Sequence, residues 1–375
     1  MKNDKANTVP SPAMNPQLGK LRTGLNNSGI LLIITIGLFV LLYATSIILF
    51  ADSGFGKFSS FFNNFFNSKA HMLMLSLGLT VVMITGSIDI SVGGVTGLVS
   101  MVIAVMLTEH GIPAIWTIPA ALGIGLAFGA AQGFLIAYMD IQPFIITLSG
   151  MFFARGMISV IRIVSVPISD PTFMSWSGAK LYIPFLYNTT RRGGIDVAYL
   201  TPAAVTALLV LVALIILFKY TRFGRSLYAV GGNTQSALLM GIDPKKTKFM
   251  AHVLCGLLAG IGGFLYTLFA PSGNPRNGLG YEISAISSSI IGGTMLSGGV
   301  GLPIGTFFGV LINALVERVV PLFGLVDAAW PSIITSGFLF AFIVLQSVLS
   351  IVSRTDGGIR QLLPAWLCLK KQVST

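Results

Sequence analysis

Long apolar runs separated by short polar segments make up most of this chain. An α-helix needs roughly 17 to 25 residues to cross a lipid bilayer. Lipid offers backbone groups no hydrogen-bond partner, so each run of this length is expected to form a helix. Ten runs of about this length are present, at residues 30–50, 71–87, 90–108, 114–138, 143–163, 200–218, 249–269, 283–298, 303–323 and 331–352. The pattern predicts an all-α polytopic membrane protein with about ten transmembrane helices.

The composition agrees with this interpretation. Of the 375 residues, 54% are hydrophobic and only 9% are charged, whereas a soluble domain carries about a quarter charged residues. The chain is polar up to Asn27, and the apolar run that follows lacks the Ala-x-Ala exit of a cleaved signal peptide. We therefore expect a retained first span.

Basic residues cluster outside the apolar runs. The net charge is +11, and Lys and Arg concentrate in an N-terminal tail (1–28), in a polar segment (222–248) and in a C-terminal tail (354–375). Cytoplasmic flanks of membrane proteins are enriched in this way, so the charge does not indicate nucleic-acid binding. The transmembrane region then comprises residues 29–353.

Counting the spans gives each segment a side of the membrane. With an even number of spans both tails are cytoplasmic, and six spans precede residue 222, which predicts that segment 222–248 is cytoplasmic too. The segments near 51–70, 164–199 and 270–282 become extracytoplasmic loops. These loops also carry some Lys and Arg, so the charge bias is incomplete.

The polar segment 222–248, called the island below, has a pattern of its own. Between Gly232 and Gly241 it predicts a short helix that Asn233 or Thr234 caps and that Gly241 ends, with Pro244 shortly after. Apolar residues give this helix one apolar face. A short amphipathic helix on a polar loop is typical of docking onto a soluble partner.

Glycines recur every fourth residue in two of the apolar runs. One row is formed by Gly125, Gly129 and Gly133, and the other by Gly301, Gly305 and Gly309. Small residues on one helix face let two helix backbones approach closely. Asn313 and Glu317 continue the second row at the same spacing, and a carboxylate on a packing face is expected to face protein or a wet cavity.

Arg155 lies in the middle of an apolar run, on a row with Thr147 and Ser159. A charged side chain at this depth needs a partner or water. Two interpretations are open: a buried salt bridge or a side chain that reaches the interface, and a residue that lines a permeation path.

Two glycine-rich segments interrupt the apolar pattern at comparable places, Gly86–Gly94 and Gly292–Gly301. Broken segments at matching places in two halves point to an internal repeat with a pathway between the halves, although the two stretches share little identity. Small polar groups there are candidates to line the path: Ser87, Asp89, Ser91, Thr294 and Ser297. The alternatives are that the glycines only allow close packing and that Asp89 caps a helix in a turn.

Motifs for enzymatic chemistry are absent. No G-x-x-x-x-G-K-[ST] sequence is present, so the chain itself is not expected to bind ATP through a P-loop. Cys255 and Cys368 predict neither a disulfide framework nor a metal site. We expect a protein that is not an enzyme and that uses no cofactor.

Several segments carry recognisable motifs: Thr85–Gly94 (TGSIDISVGG), Pro143–Gly156 (PFIITLSGMFFARG), Thr221–Asn233 with Ala237–Ile242, and Ile291–Gly301. The first resembles the GGIDLSVG signature of the permeases of bacterial sugar-type ABC importers in the ribose, xylose and arabinose group, with Ser87 in place of a usual glycine. The others resemble the same family's PxFIxTLxxxxxxRG segment, its cytoplasmic coupling segment and its late glycine motif.

The resemblance covers residues from about 70 to 350 and implies partners. They are separate cytoplasmic ATPase subunits, a periplasmic sugar-binding protein, and a second permease copy or a related permease, all at the bacterial inner membrane. Within the group, several segments are similar to a galactofuranose importer permease. The resemblance implies that ATPase coupling involves Arg222, Gly224, Arg225, Gly232, Asn233, Ala237, Leu239 and Gly241.

A rival interpretation keeps the same topology. It is an ion-coupled secondary transporter of a small polar solute, with Asp89, Arg155 and Glu317 as the relay. A structural scaffold would not need polar residues on buried helix faces, and a channel would not need the island.

Overall fold

The computed structural model describes residues 16–50, 63, 66–189, 195–325, 327 and 329–354. Most of the predicted tails, including Cys368, lies outside the described residues. The described chain contains thirteen α-helices and four short strands. In chain order they are α1 (Pro16–Leu49), α2 (Asn67–Ile84), α3 (Val92–Thr108), α4 (Thr117–Tyr138), α5 (Pro143–Ile161), β1 (Val166–Pro167), α6 (Pro171–Gly178), β2 (Leu181–Thr189), β3 (Ile195–Leu200), α7 (Pro202–Tyr220), α8 (Arg222–Gly232), α9 (Thr234–Leu239), α10 (Pro244–Phe269), β4 (Ser272–Gly273), α11 (Tyr281–Ile291), α12 (Pro303–Val319) and α13 (Ala329–Arg354).

Eight of the described helices are long and apolar enough to cross a membrane. They are α1, α2, α4 with the 3₁₀ turn before it, α5, α7, α10, α12 with the 3₁₀ turn after it, and α13. The other two predicted runs contain the shorter helices α3 and α11. The all-α polytopic prediction is confirmed. Run 283–298 departs most from it, because Gly292 and Gly293 end α11 in a turn.

Helix α2 lies at the centre of the bundle, where α7, α10, α11 and α12 pack around it. Leu75, Leu79 and Met83 on this helix are fully buried. Helices α1, α5 and α13 are mostly exposed and present large apolar side chains such as Phe152 and Phe340. The long core helices are thus surrounded by an outer layer whose exposed faces suit contact with lipid or with another membrane subunit.

The predicted glycine rows are places of backbone contact. A Cβ atom on Gly125 would overlap the carbonyl oxygen of Gly256 on α10, and a Cβ on Gly256 would overlap the carbonyl oxygen of Gly125. Gly129 packs in the same way on the next turn, against His252. The second row holds α12 against α11, since a Cβ on Gly309 would meet the carbonyl oxygen of Ser288.

The two ends of the bundle differ. The island face carries α8 and α9, and the opposite hairpin face carries the antiparallel pair β2–β3. Side-chain amides hold the hairpin to the bundle: the backbone N–H of Tyr199 donates to Asn63 Oδ1 over 2.9 Å, and Asn67 Nδ2 donates to the carbonyl oxygen of Tyr199 over 2.9 Å. The hairpin therefore has a fixed position on the bundle.

The contact between α4 and α10 gives a direct test of this packing. We expect Gly129→Leu to destabilise the folded protein by at least about 1–3 kcal/mol, because a larger side chain would force two backbones apart. Thermal unfolding in detergent and the amount of folded protein in membranes would measure the effect.

Gly123→Leu is the matched control. Gly123 lies on the same helix, but a Cβ there would meet no atom within 4 Å. Equal thermal stability of the two variants would contradict the packing that we describe.

Candidate functional site

The island folds as two helices. The predicted short helix is α9, and Asn233 caps it, with Oδ1 accepting from the N–H of Ser236 over 2.8 Å. Gly241 follows the helix with a φ of +79°, a conformation that favours glycine. The preceding helix α8 was not predicted, although Leu227 and Val230, both buried, recur at helical spacing. Thr221 caps it by accepting from the N–H of Gly224.

The end of α9 presents an apolar tip to solvent. Leu239 is 89% exposed, and Leu238 and Met240 beside it are also exposed. Ala237 on the opposite side is buried. Three adjacent exposed apolar side chains within a polar segment are the kind of surface that a partner protein covers.

The island also carries exposed cations. The island residues Arg222, Arg225, Lys245 and Lys246 are all exposed, and no ion pair within 4.0 Å involves them among the described residues. The island face is therefore basic and also exposes an apolar tip.

Both broken segments meet at the island. The N–H of Gly299 donates to the carbonyl oxygen of Ile84 over 2.8 Å, directly before the first broken segment. A Cβ on Gly298 would lie 2.8 Å from the nitrogen of Gly86. A Cβ on Gly231 of α8 would overlap the carbonyl oxygen of Ile84. Helix α8 and the two broken segments thus form one contact, called the junction below.

Tyr228 ties α8 to the junction by a side-chain bond. Its hydroxyl donates to the carbonyl oxygen of Gly301 over 2.6 Å. Burial raises the pKa of Tyr228 to about 12, so the hydroxyl remains a donor at physiological pH. Sequence reasoning missed this residue, because only the fold brings positions 228 and 301 together.

A polar cleft of about 400 Å³ opens beside the junction on the island face. Its wall combines the first broken segment (Thr85, Gly86), the end of α8 and start of α9 (Val230–Gln235), Lys248 and Ser297. Ser297 is exposed there, whereas Thr294 is fully buried and its carbonyl oxygen accepts from Gln346 Nε2 over 3.2 Å.

Asp89 is buried and makes a local turn. Its Oδ1 accepts from both the backbone N–H and the hydroxyl of Ser91, over 2.9 and 2.6 Å. Ser91 Oγ also lies 3.1 Å from Gln132 Oε1 on α4. The first broken segment is therefore tied to α4 as well as to the island, and the nearby Ser87 is buried with it.

The remaining predicted polar residues lie elsewhere. Arg155 Nη1 donates to the carbonyl oxygen of Asn277 over 2.7 Å. Asn313 is buried and its Nδ2 donates to Ser288 Oγ over 2.6 Å. Glu317 forms an ion pair with Lys69 near the hairpin face. The structure brings the broken segments and the island together, but it does not bring these three residues into the same site.

The segment 270–282, predicted as an extracytoplasmic loop, is not a fully exposed one. It folds back into the bundle, where Asn277 and Glu282 are buried. No periodic pattern marks such a segment, because its position depends on the helices that it contacts.

Comparison with known proteins agrees with the predicted family. Residues 61–347 match the profile of a family described as branched-chain amino acid transport system / permease component. No solved structure matches the chain.

Similar proteins of known name are more specific than the family description, because they include sugar import permeases. The chain is 36% identical to the inner membrane ABC transporter permease protein YjfF of Escherichia coli K12, over 86% of this chain and 93% of the relative. It is 33% identical to the fructose import permease protein FruG of Bifidobacterium longum, over 76% and 82% of the two chains. It is 32% identical to the ribose import permease protein RbsC of Escherichia coli K12, over 76% and 85%.

The profile covers well over half of the chain, and these relatives are aligned over most of their length. They include sugar import permeases of the kind that the sequence motifs resemble. The chain therefore belongs to this family of ABC transporter permease components, and it is a membrane subunit of the sugar-type ABC permease kind.

Proposed function

We propose that this chain carries a monosaccharide across the inner membrane as the permease subunit of an ABC importer. Separate ATPase subunits, a periplasmic sugar-binding protein, and a second permease copy or related permease complete the assembly. The observation that carries the proposal is the junction, where helix α8 of the island contacts both broken segments of the membrane bundle. Galactofuranose is the proposed solute on the basis of the motif resemblance.

The island is the proposed ATPase-docking element. Its apolar tip, Leu238–Met240, suits a groove on a soluble protein, which is a common way for a short helix to be recognised. The exposed cations of the island would favour an acidic surface on that partner and speed its association. The remaining residues of the predicted coupling set shape the two helices, as Gly224, Asn233 and Gly241 do.

The junction would pass movement of the island to the bundle. Gly231, Gly298 and Ile84 are in backbone contact, so α8 cannot shift far without displacing one of the broken segments. Packed interiors are stiff and transmit such displacements. The same geometry favours the interpretation that Gly298 allows close packing, because a Cβ added at this position would meet backbone atoms. We propose that Ser87, Asp89, Ser91, Thr294 and Ser297 border the path where it reaches the island face.

Two contacts support a cytoplasmic assignment for both tails. Leu31 near the start of the first span lies beside Gly293, and Gln346 near the end of α13 bonds to Thr294. Both partners belong to the second broken segment, which meets the island. The basic character of the island matches the rule that cytoplasmic flanks are rich in Lys and Arg.

The rival secondary transporter has less support. An ion relay needs polar groups in sequence along a path. In the described residues no hydrogen bond links Asp89, Arg155 and Glu317, whose partners are Ser91, Asn277 and Lys69.

Uptake into proteoliposomes distinguishes the two mechanisms. We expect radiolabelled galactose uptake to require ATP and the ATPase subunits inside the vesicles and to persist when ion gradients are collapsed. Uptake by the permease alone, driven by a proton or sodium gradient, would contradict the proposal.

The apolar tip provides a test of docking. We expect Leu239→Asp to lower sugar-stimulated ATP hydrolysis and uptake at least about tenfold, because an anchor at the centre of an interface carries much of the binding energy. Insertion and thermal stability should be unchanged, since Leu239 is exposed.

Met139→Asp is the matched control for that change. Met139 is also an exposed apolar residue, and it follows Tyr138, whose ring packs on Phe249 just after the island. If Leu239→Asp behaves as Met139→Asp does, the ATPase docks elsewhere.

Tyr228 provides a test of coupling. We expect Tyr228→Phe to lower the amount of sugar moved per ATP hydrolysed several-fold, because the lost bond to Gly301 contributes about 0.5–1.5 kcal/mol. Co-purification with the ATPase should be unaffected. Tyr220→Phe removes an exposed hydroxyl nearby and should leave the ratio unchanged. A normal ratio in Tyr228→Phe would exclude this bond from coupling.

A further inference from the structure

The chain re-enters the bundle between α10 and α11. Gly278 and Gly280 have φ values of +70° and +78°, so the backbone turns sharply there. The segment lies on a glycine face of α3: a Cβ on Gly97 would overlap the carbonyl oxygen of Asn277, and a Cβ on Gly93 would overlap Glu282 Oε2. The glycines of α3 thus leave space for segment 270–282 and its polar side chains.

Asn277 organises this region. Its Nδ2 donates to Ser100 Oγ over 2.9 Å and to the carbonyl oxygen of Ser272 over 2.8 Å, and its Oδ1 accepts from Tyr266 over 3.1 Å. Its own carbonyl oxygen accepts from Arg155 Nη1. All the polar groups of the Asn277 side chain are occupied, so it is a rigid support.

The charged groups beside Asn277 are incompletely satisfied. Arg155 Nη2 and Glu282 Oε2 are buried atoms with no hydrogen-bond partner, and both ring nitrogens of His71 share this condition. Glu282 is only 9% exposed. No ion pair within 4.0 Å joins Arg155 to Glu282. The two side chains lie against Gly97 and Gly93, four residues or about 6 Å apart along α3.

The unpaired atoms of Arg155 and Glu282 are expected to gain hydrogen-bond partners when a ligand binds. A buried charge without a hydrogen-bonded partner is costly, and buried polar atoms in native proteins are nearly always satisfied. The partner has to accept from a guanidinium and donate to a carboxylate within a few ångströms. A sugar ring carries several hydroxyls, each of which is both donor and acceptor.

Aromatic rings complete the environment. His71 stacks on Tyr281, with ring centroids 5.5 Å apart and an angle of 23°, and Tyr266 packs edge-on against Tyr281. Flat rings beside a few convergent polar groups are typical of small-molecule sites. The region also reaches the outside of the single chain, because Arg155 is half-buried and Ser159, one turn further along α5, is exposed.

We propose that Arg155, held in place by Asn277, and Glu282 form, with the rings of His71 and Tyr281, a subsite that binds the hydroxyls of a monosaccharide on its way through the permease. This inference rests on the proposed function and names where the solute contacts the chain. The subsite has one cation and one anion, so a neutral solute leaves its charges balanced.

An amino acid zwitterion is the competing ligand. Its carboxylate would suit Arg155 and its ammonium group would suit Glu282. The aromatic surface and the sugar import permeases among the relatives favour the sugar.

The experiment uses the full importer, permease with ATPase and binding protein, in proteoliposomes. Uptake of radiolabelled galactose, ribose, fructose and leucine is measured over a range of concentrations. We expect Glu282→Gln and Arg155→Gln each to raise the KM for the transported sugar about tenfold, the loss expected for one hydrogen bond to a charged group. Co-purification with the ATPase should not change.

Matched controls remove a charge from the same kinds of residue outside the cluster. Arg162 directly follows α5 and Glu109 directly follows α3. The two side chains form an exposed ion pair near the hairpin face. Arg162→Gln and Glu109→Gln should leave the KM unchanged.

A labelling measurement covers the case in which a charge variant does not fold. In a background with Cys368→Ser, Ser159→Cys should react with an aqueous thiol reagent, and the transported sugar should slow this reaction whereas leucine should not. Cys255 is buried and is not expected to contribute.

Each outcome has a defined meaning. Sugar uptake with unchanged KM in both charge variants, or labelling that sugar does not slow, would overturn the subsite while leaving the proposed function intact. A lower maximal rate with unchanged KM for every sugar would identify a gate and would also overturn the subsite. Transport of leucine but of no sugar by the unaltered importer would overturn the proposed function itself.

Discussion

Backbone groups inside a lipid bilayer have to find hydrogen-bond partners within the protein, because the lipid provides none. A continuous helix pairs its own backbone groups, but a broken segment leaves some of them unpaired. At the junction the two broken segments pair with each other, because the N–H of Gly299 donates to the carbonyl oxygen of Ile84. The end of α11 meets it with side chains from the outer layer: Thr35 on α1 donates to the carbonyl oxygen of Ile291, and Gln346 on α13 donates to that of Ile290. Irregular backbone is thus restricted to places where other elements surround it.

Glycine makes these arrangements compact. At the junction, on the face of α3 and between α4 and α10, a methyl group would overlap neighbouring backbone. Close approach allows backbone atoms from different elements to contact directly. The island therefore cannot move far relative to the interior of the bundle without displacing it. The abundance of glycine in the sequence is therefore related both to helix packing and to the transfer of motion.

Patterns within short stretches of sequence predicted much of this fold. The apolar runs located the helices, and Asn233 with Gly241 located α9 because capping is a local interaction. The glycine spacing predicted close contacts without naming the partner helix. What remained hidden depends on distant parts of the chain meeting, such as Tyr228 with Gly301 and Arg155 with Asn277. Periodicity carries no information about such pairs.

The attachment of the hairpin also limits how this protein can associate with copies of itself. The unpaired edge of an exposed strand invites addition of a strand from another chain, which leads to aggregation. Here Asn63 and Asn67 occupy the hydrogen-bonding groups of Val197 and Tyr199 on the side of β3 that faces away from β2. The two amide side chains make hydrogen bonds that a neighbouring strand would otherwise make. A strand from another copy of the protein therefore cannot pair with that edge of β3.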